Sequence, residues 1–245
     1  MKKIINSITS VFGYKFKKTK WLYEKNINLI KSINKNKINS IIDVGANSGQ
    51  FAEEVFKNGF NGNILSFEPL KLEHSFLLNK KIKMKKYHWE IAERCGLGSL
   101  EKKLNINISG MRQSSSVLDI SEIHTNLYPD SVNIGKEEID IFPLDNFYNK
   151  IINMKKNILL KIDTQGYELE ILKGAKKTLD YIDAIYAEVS LVELYKNQPL
   201  YDEILDYIKK GGFSVWSVDR AVGNKATGQT YQLDIFFVKS HKFQN

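Results

Sequence analysis

Several chemistries are closed to this chain by what it lacks. A single cysteine, Cys95, cannot form an internal disulfide, and its neighbours Glu93, Arg94 and Gly96 provide no metal-ligand spacing. That usage fits a reducing compartment, so a cytoplasmic protein is expected. Prolines number four, and no proline-rich or glycine-rich linker divides the 245 residues, a length that suits one α/β domain with additions. No apolar run is long enough to span a bilayer. The start is basic, but Asn6 and Ser7 interrupt the apolar residues around them before an export segment can build.

Catalytic signatures are missing as well. The chain has no Gly-x-Gly-x-x-Gly turn and no phosphate loop ending in Lys-Ser/Thr, which argues against a pyrophosphate ligand. Neither a Gly-x-Ser-x-Gly nucleophile elbow nor a histidine pair at metal-binding spacing occurs, which argues against hydrolase chemistry. The four histidines read as structural: His88 as a core residue within a strand, His74 in a helix, His124 in a loop-rich insertion and His241 at the tail.

The net charge of +8 is unevenly distributed, because residues 1–37 hold ten lysines and one acid, Glu24. The remainder is close to neutral, so residues 1–37 read as a basic helical arm or cap and residues 38–245 as the domain proper. Ile4, Ile8, Val11 and Phe12 fall at helical spacing, followed by Lys15, Lys17, Lys18 and Lys20. Such an arm could cap the domain or rest as a peripheral element on an anionic membrane or acidic partner. No nucleic-acid partner is expected of the nearly neutral remainder.

Strand and helix signals alternate after residue 38. Strands are expected at 41–44, 63–67, 86–92, 139–143, 158–162 and 184–189, with an added strand between Gly98 and Ile108 and a closing pair at 213–218 and 233–238. Helices are expected after Gly49, over 70–79, around Phe147 and Tyr148 with Asp145 as the cap, through Leu169, Leu172, Ala175 and Leu179, and over Leu200–Ile208 before Gly211-Gly212. This order predicts a mostly parallel sheet with helices on both faces and an antiparallel edge hairpin.

Two strand-to-helix turns carry the chemistry. One is Ile41-Ile42-Asp43-Val44-Gly45-Ala46-Asn47-Ser48-Gly49-Gln50, where glycines at 45 and 49 could let backbone and ligand approach closely. The other runs from Leu159 to Ala175, an apolar strand that ends on Asp163 and turns at Gly166. Ligands of open α/β sheets bind beyond such strand ends, and Glu68, about twenty residues after the glycine turn, is placed to accept ribose hydroxyls. A nucleoside without a pyrophosphate fits both observations.

The turn Asp43 to Gln50, the step Phe67-Glu68-Pro69 and the segment Ile162-Asp163-Thr164-Gln165-Gly166-Tyr167-Glu168 through Ala175 together resemble the FkbM family of S-adenosylmethionine-dependent methyltransferases. The resemblance continues through Glu188-Val189-Ser190-Leu191, Leu194-Tyr195 and Gln232 to Val238, covering about residues 38–240. It implies a Rossmann-like, class I methyltransferase fold with a seven-stranded sheet, S-adenosylmethionine as cofactor, and O-methylation of a hydroxyl, often on a sugar, glycan or secondary metabolite. By that resemblance Gly45, Ala46, Asn47, Ser48 and Gly49 lie against the cofactor, Asp43 holds the turn and Glu68 takes the ribose.

Asp163 and Glu188 end successive strands, so either could remove the acceptor's proton, with Gln165 orienting it. Asp163 could instead meet the cofactor's amine, and Glu188 could cap a helix or loop. Two scattered acids fall short of a ligand set for a divalent ion. Met111, Arg112, Gln113 and Ser115 lie in a polar loop suited to hydrogen-bonding many hydroxyls, and Trp216 could stack on a sugar ring. The reading is a methyltransferase in polysaccharide or polyhydroxy-metabolite biosynthesis, its oligomeric state open. A partner-docking or membrane-docking module of the same fold is the alternative, and a nucleic-acid methyltransferase a weaker one.

Overall fold

The computed structural model describes residues 27–154, 157–224 and 226–240. The amphipathic segment Ile4 to Lys20 and the tail histidine His241 lie outside the described residues. The first described element, α1 (Ile27–Lys35), buries Leu29 and Ile33 against Ile41, Ala52 and Phe56, so packed structure already exists before residue 38.

Seven strands form the main sheet: β1 (Ser40–Val44), β2 (Asn63–Phe67), β3 (Trp89–Ile91), β7 (Ile158–Ile162), β8 (Ile182–Ser190), β9 (Phe213–Gly223) and β10 (Thr230–Lys239). Their spatial order is β3-β2-β1-β7-β8-β10-β9. All neighbours are parallel except β10, which runs antiparallel to both β8 and β9. The strand order reverses between β1 and β7, and such a switch point opens a crevice at the carboxyl ends of the strands.

Alternation along the central strands divides the core into two layers. Ile41 and Leu159 pack with α1, α2 (Gln50–Lys57) and α3 (Lys71–Lys83) on one face. Ile42, Val44, Leu160 and Ile162 face the other, with α5 (Tyr148–Ile152), α6 (Glu168–Lys173) and α7 (Tyr201–Lys210). Central strands covered on both sides read as nearly continuous apolar runs for this reason.

Between β3 and β7 the chain builds a second sheet of β4 (Gly96–Leu97), β5 (Lys102–Ser109) and β6 (Asn133–Phe142), in the order β4-β6-β5. The added strand expected after Gly98 is β5, and the strand expected at 139–143 is the end of β6. Antiparallel pairing of β6 with β5 from Lys102↔Ile141 to Ser109↔Asn133 extends it back to Asn133. Helix α4 (Glu122–Leu127) lies in the connection between them.

Four local readings are corrected. Helix α6 ends at Lys173, so Ala175 lies beyond it and Leu179 falls in a separate 3₁₀ turn over Thr178–Tyr181. The strand expected at 86–92 is confined to Trp89–Ile91, and His88 precedes it. Helix α3 runs to Lys83 rather than stopping at Asn79. Asp145 does not cap α5: its carboxylate accepts from the Lys177 and Thr178 backbone N–H groups and the Thr178 hydroxyl, because a 3₁₀ turn over Leu144–Phe147 precedes the helix. Among the described residues no helix is long and apolar enough to cross a membrane.

Candidate active site

Strand register assembles the floor of the site. Asp43 is paired with Ser66 across β1 and β2 and with Lys161 across β1 and β7. Lys161 is buried, and its ammonium lies 3.0 Å from Asp43 Oδ1 and donates to the carbonyls of Val44 (3.2 Å) and Gly45 (3.1 Å). The Ser66 hydroxyl donates to Asp43 Oδ2 (3.1 Å) and accepts from Trp89 Nε1 (3.0 Å). Burial alone would lower the pKa of Lys161, but the carboxylates of Asp43 and Asp163 raise it above the ordinary lysine value. A charged row therefore runs beneath the glycine turn.

The turn leaves β1 with Gly45 at φ +74°, Asn47 at +49° and Gly49 at +82°, left-handed values that favour glycine and asparagine. A Cβ on Gly45 would lie 2.0 Å from the Asp163 carbonyl oxygen, and one on Gly49 would lie 2.6 Å from the Trp89 ring. Close packing within the protein by itself demands both glycines. Beside the turn Glu68 accepts from the backbone N–H groups of Asn47 (2.7 Å) and Leu70 (2.9 Å). It is only 4% exposed, and burial pushes its carboxyl up to about 7 despite those two donors.

The Asp-Thr-Gln-Gly-Tyr-Glu segment folds around its last residue. Buried Glu168 accepts through Oε1 from the Thr164 backbone (2.9 Å), the Thr164 hydroxyl (3.1 Å) and the Gly166 backbone (3.1 Å). Gln165 and Gly166 both take positive φ to close that loop. Gln165 is thereby turned between two strand ends. Its Nε2 donates to Asp163 Oδ1 (2.8 Å) and Glu188 Oε2 (3.1 Å), while its Oε1 accepts from the Tyr195 hydroxyl (2.8 Å). Glu188 Oε2 also accepts from Gln232 Nε2 (2.7 Å). Burial first, then Asp163, Asp234 and Glu168, push the Glu188 carboxyl well above the usual carboxylate range, which favours its protonated form.

Glu68, Lys161, Asp163, Gln165, Glu188 and Gln232 border one cleft of about 480 Å³. Its roof is the second sheet, through Leu97, Ile106, Ile139 and Ile141, and Pro69 and Leu70 form the adjoining edge. The loop from Met111 to Ser115 closes one side and is latched by Arg112, whose guanidinium donates to both oxygens of buried Glu73 at 2.6 Å. His124 and Tyr128 complete the wall next to Tyr195. Among the described residues no cluster of three His, Cys, Asp or Glu side chains could hold a metal ion.

Residues 43–215 match the family model described as the methyltransferase FkbM domain. The chain belongs to the FkbM methyltransferase family. Membership makes residues 43–215 a methyltransferase domain. A relative named Methyltransferase 1, from Beauveria bassiana (strain ARSEF 2860), is 25% identical over 159 residues, 61% of this chain. The match spans 64% of that relative, less than two thirds of its length. Among solved structures, the magnesium protoporphyrin IX methyltransferase of Synechocystis PCC 6803 with bound SAM shares 8% identity at a TM-score of 0.48, covering 98% of this chain and 97% of that one. An rRNA methylase from Streptococcus thermophilus shares 10% at 0.47, covering 88% and 96%.

Within this FkbM domain the residues anticipated from sequence separate into three groups. Gly45, Ala46, Asn47, Glu68, Asp163, Gln165 and Glu188 border the cleft, as do Met111, Arg112, Gln113 and Ser115. Asp43 lies fully buried beneath it, Gly49 packs on Trp89, and Ser48 donates its backbone N–H to Asn47 Oδ1, so these three support the turn from behind. Trp216 is placed elsewhere: it packs on β9 with the α1 to α3 layer and does not border the cleft. Lys161, Glu168, Tyr195 and Gln232 were missed as site residues. A lysine inside a buried strand was the available signal, since such a charge needs a partner.

Proposed function

We propose that this FkbM methyltransferase transfers the methyl group of S-adenosylmethionine to a hydroxyl of a sugar, glycan or related polyhydroxy metabolite. The observation that carries the reading is the chain Asp163–Gln165–Glu188–Gln232, in which acids and amides alternate along one side of the cleft. Such a row offers donors and acceptors together, the pairing that adjacent hydroxyls require.

The cleft suits the cofactor. Glu68 retains acceptor capacity beyond its two backbone donors and would take ribose hydroxyls. Phe67, Pro69, Leu97, Ile139 and Ile141 provide apolar walls for a flat base, and the backbone of Gly45 to Asn47 would face the methionine portion. The acids Asp163 and Asp234 on the wall favour a cationic ligand. When bound, S-adenosylmethionine supplies a methyl group already activated by its sulfonium. The protein then has to align the acceptor oxygen and exclude water. Gln165, held by Tyr195, fixes the positions of Asp163 and Glu188, and one of these acids takes the hydroxyl proton. We place this activity in the cytoplasm, in polysaccharide biosynthesis, with no nucleic-acid partner and with residues 1–37 available for peripheral membrane contact.

Calorimetric titration with S-adenosylhomocysteine, on wild type and Glu68→Ala, is the first test. It is followed by label transfer from S-adenosylmethionine to a panel of sugars and polyols. We expect binding that the substitution weakens, and methylation of a hydroxyl. A folded protein that binds no S-adenosylhomocysteine would overturn the cofactor assignment. Transfer confined to amines or nucleic acid would overturn the acceptor class.

A further inference from the structure

Helix α3 turns an unusual face outward. It buries only Glu73 and Leu77, and leaves Leu72 (47%), Phe76 (47%), Leu78 (44%) and Ile82 (71%) exposed. At 100° per residue, Leu78 and Ile82 flank one side of the outward arc and Leu72 and Phe76 the other, with Ser75 and Asn79 between them. Scattered single apolar residues on a surface need no explanation, but four large ones on one helix do.

Charge identifies what such a face would meet. Residues 71–86 carry six lysines, at 71, 80, 81, 83, 85 and 86. Their only acid, Glu73, is buried and held by Arg112, and Glu53 on α2 takes Lys80 at 2.9 Å. A second copy of the chain docked through this helix would bring lysine rows together, and like charges in contact oppose that pairing. An anionic lipid surface accepts both features, with apolar side chains entering the headgroup boundary while lysine stems reach to the phosphates. We propose that the outward face of α3 docks the protein on anionic phospholipid.

Position gives the contact a purpose. Helix α3 begins two residues after Pro69, at the edge of the cleft, and the Arg112–Glu73 pair ties it to the loop that closes the cleft. Docking through α3 would hold that loop and the cleft entrance beside the headgroups. The proposal stands apart from the acceptor's identity, because lipid binding is read without turnover.

The full-length protein can be tested with a site-specific probe, since Cys95 is buried and its thiol is pushed up to about 12, which leaves an introduced cysteine as the reactive one. Phe76→Cys and Ile82→Cys would carry an environment-sensitive nitrobenzoxadiazole label, with Lys209→Cys on the opposite helical layer as the control. With phosphatidylcholine vesicles containing 30 mol% phosphatidylglycerol, roughly the anionic range in which a polybasic segment binds, we expect brighter, blue-shifted emission at 76 and 82 and none at 209. Pure phosphatidylcholine should give no shift, and Lys81→Glu with Lys83→Glu should reduce the apparent affinity at least about tenfold. Vesicle binding without a shift at 76 and 82 would overturn the proposal by placing the contact elsewhere. A shift that follows protein concentration without lipid would overturn it in favour of a second copy.

Discussion

Lys161 and Asp43 face each other across β1 and β7 with 3.0 Å between ammonium and carboxylate, both sealed from solvent. Two further donations from Lys161 hold the Val44 and Gly45 carbonyls, so one side chain fixes the exit of β1. Breaking a buried pair leaves the remaining charge uncompensated. We expect Lys161→Met to destabilise the fold by about 3–5 kcal/mol, and Lys161→Met with Asp43→Asn to recover part of that loss. Urea unfolding of the two single variants and the double variant measures it.

If Glu68 takes the ribose as proposed, cofactor affinity will depend on pH. In the free protein its carboxyl titrates near 7, so below that value it carries a proton and accepts hydroxyl hydrogen bonds poorly. Binding of a ribose should release that proton. S-adenosylhomocysteine affinity is therefore expected to be flat above pH 7 and to fall by about tenfold per unit below it. The stability contribution has the opposite sign. A folded pKa raised from 4.5 to about 7 stabilises the free protein in acid, and that contribution, about 3 kcal/mol, is lost as the pH rises through this window. Calorimetry at several pH values, in buffers of differing ionisation enthalpy, counts the proton released.

The amide of Gln165 is oriented by a phenol thirty residues away. Tyr195→Phe removes the donor to Oε1 and frees the amide to rotate away from Asp163 and Glu188. We expect kcat to fall about tenfold, the kinetic equivalent of one hydrogen bond of ordinary strength, with cofactor affinity unchanged. Replacing the acid that takes the proton costs more. Whichever of Glu188→Gln and Asp163→Asn lowers kcat by about 100-fold to 10,000-fold identifies it. Since burial raises the Glu188 carboxyl, activity that depends on its ionised form should climb with pH as the proton leaves.

The Arg112–Glu73 latch predicts a change in mobility. Arg112→Ala leaves buried Glu73 without its bidentate partner and unties the loop over Met111 to Ser115. Faster amide exchange confined to that loop and the first turn of α3 is expected, with a stability loss of about 2–3 kcal/mol. Hydrogen exchange followed by mass spectrometry resolves the two segments.

The strand ends were legible because buried parallel strands declare themselves as apolar runs, and an acid at the end of such a run stands out. Asp43, Glu68, Asp163 and Glu188 were located that way. Lys161 was overlooked because Leu-Leu-Lys-Ile-Asp reads as an apolar strand closing on an acid, although an interior lysine is itself the signal of a charged partner across the sheet. Tyr195 and Gln232 reach the site from a loop and from the antiparallel strand β10, and spacing along the chain does not encode such meetings. Gly45 and Gly49 stand in the turn that the sequence marks, and the structure adds a requirement that spacing does not encode, since their hydrogens face the Asp163 carbonyl and the Trp89 ring. The second sheet was half visible: β5 alternates, whereas β4 is two residues long and exists only because β6 pairs with it.

That sheet also bears on the turnover cycle. Leu97, Ile139 and Ile141 roof the cleft, while the loop at its side comes from the same insertion between β3 and β7. Glu68 is almost fully buried among these side chains, whereas Gln113 on the loop is exposed. On the proposed reading one insertion would cover both cofactor and acceptor, so a movement of it that frees one would also disturb the other.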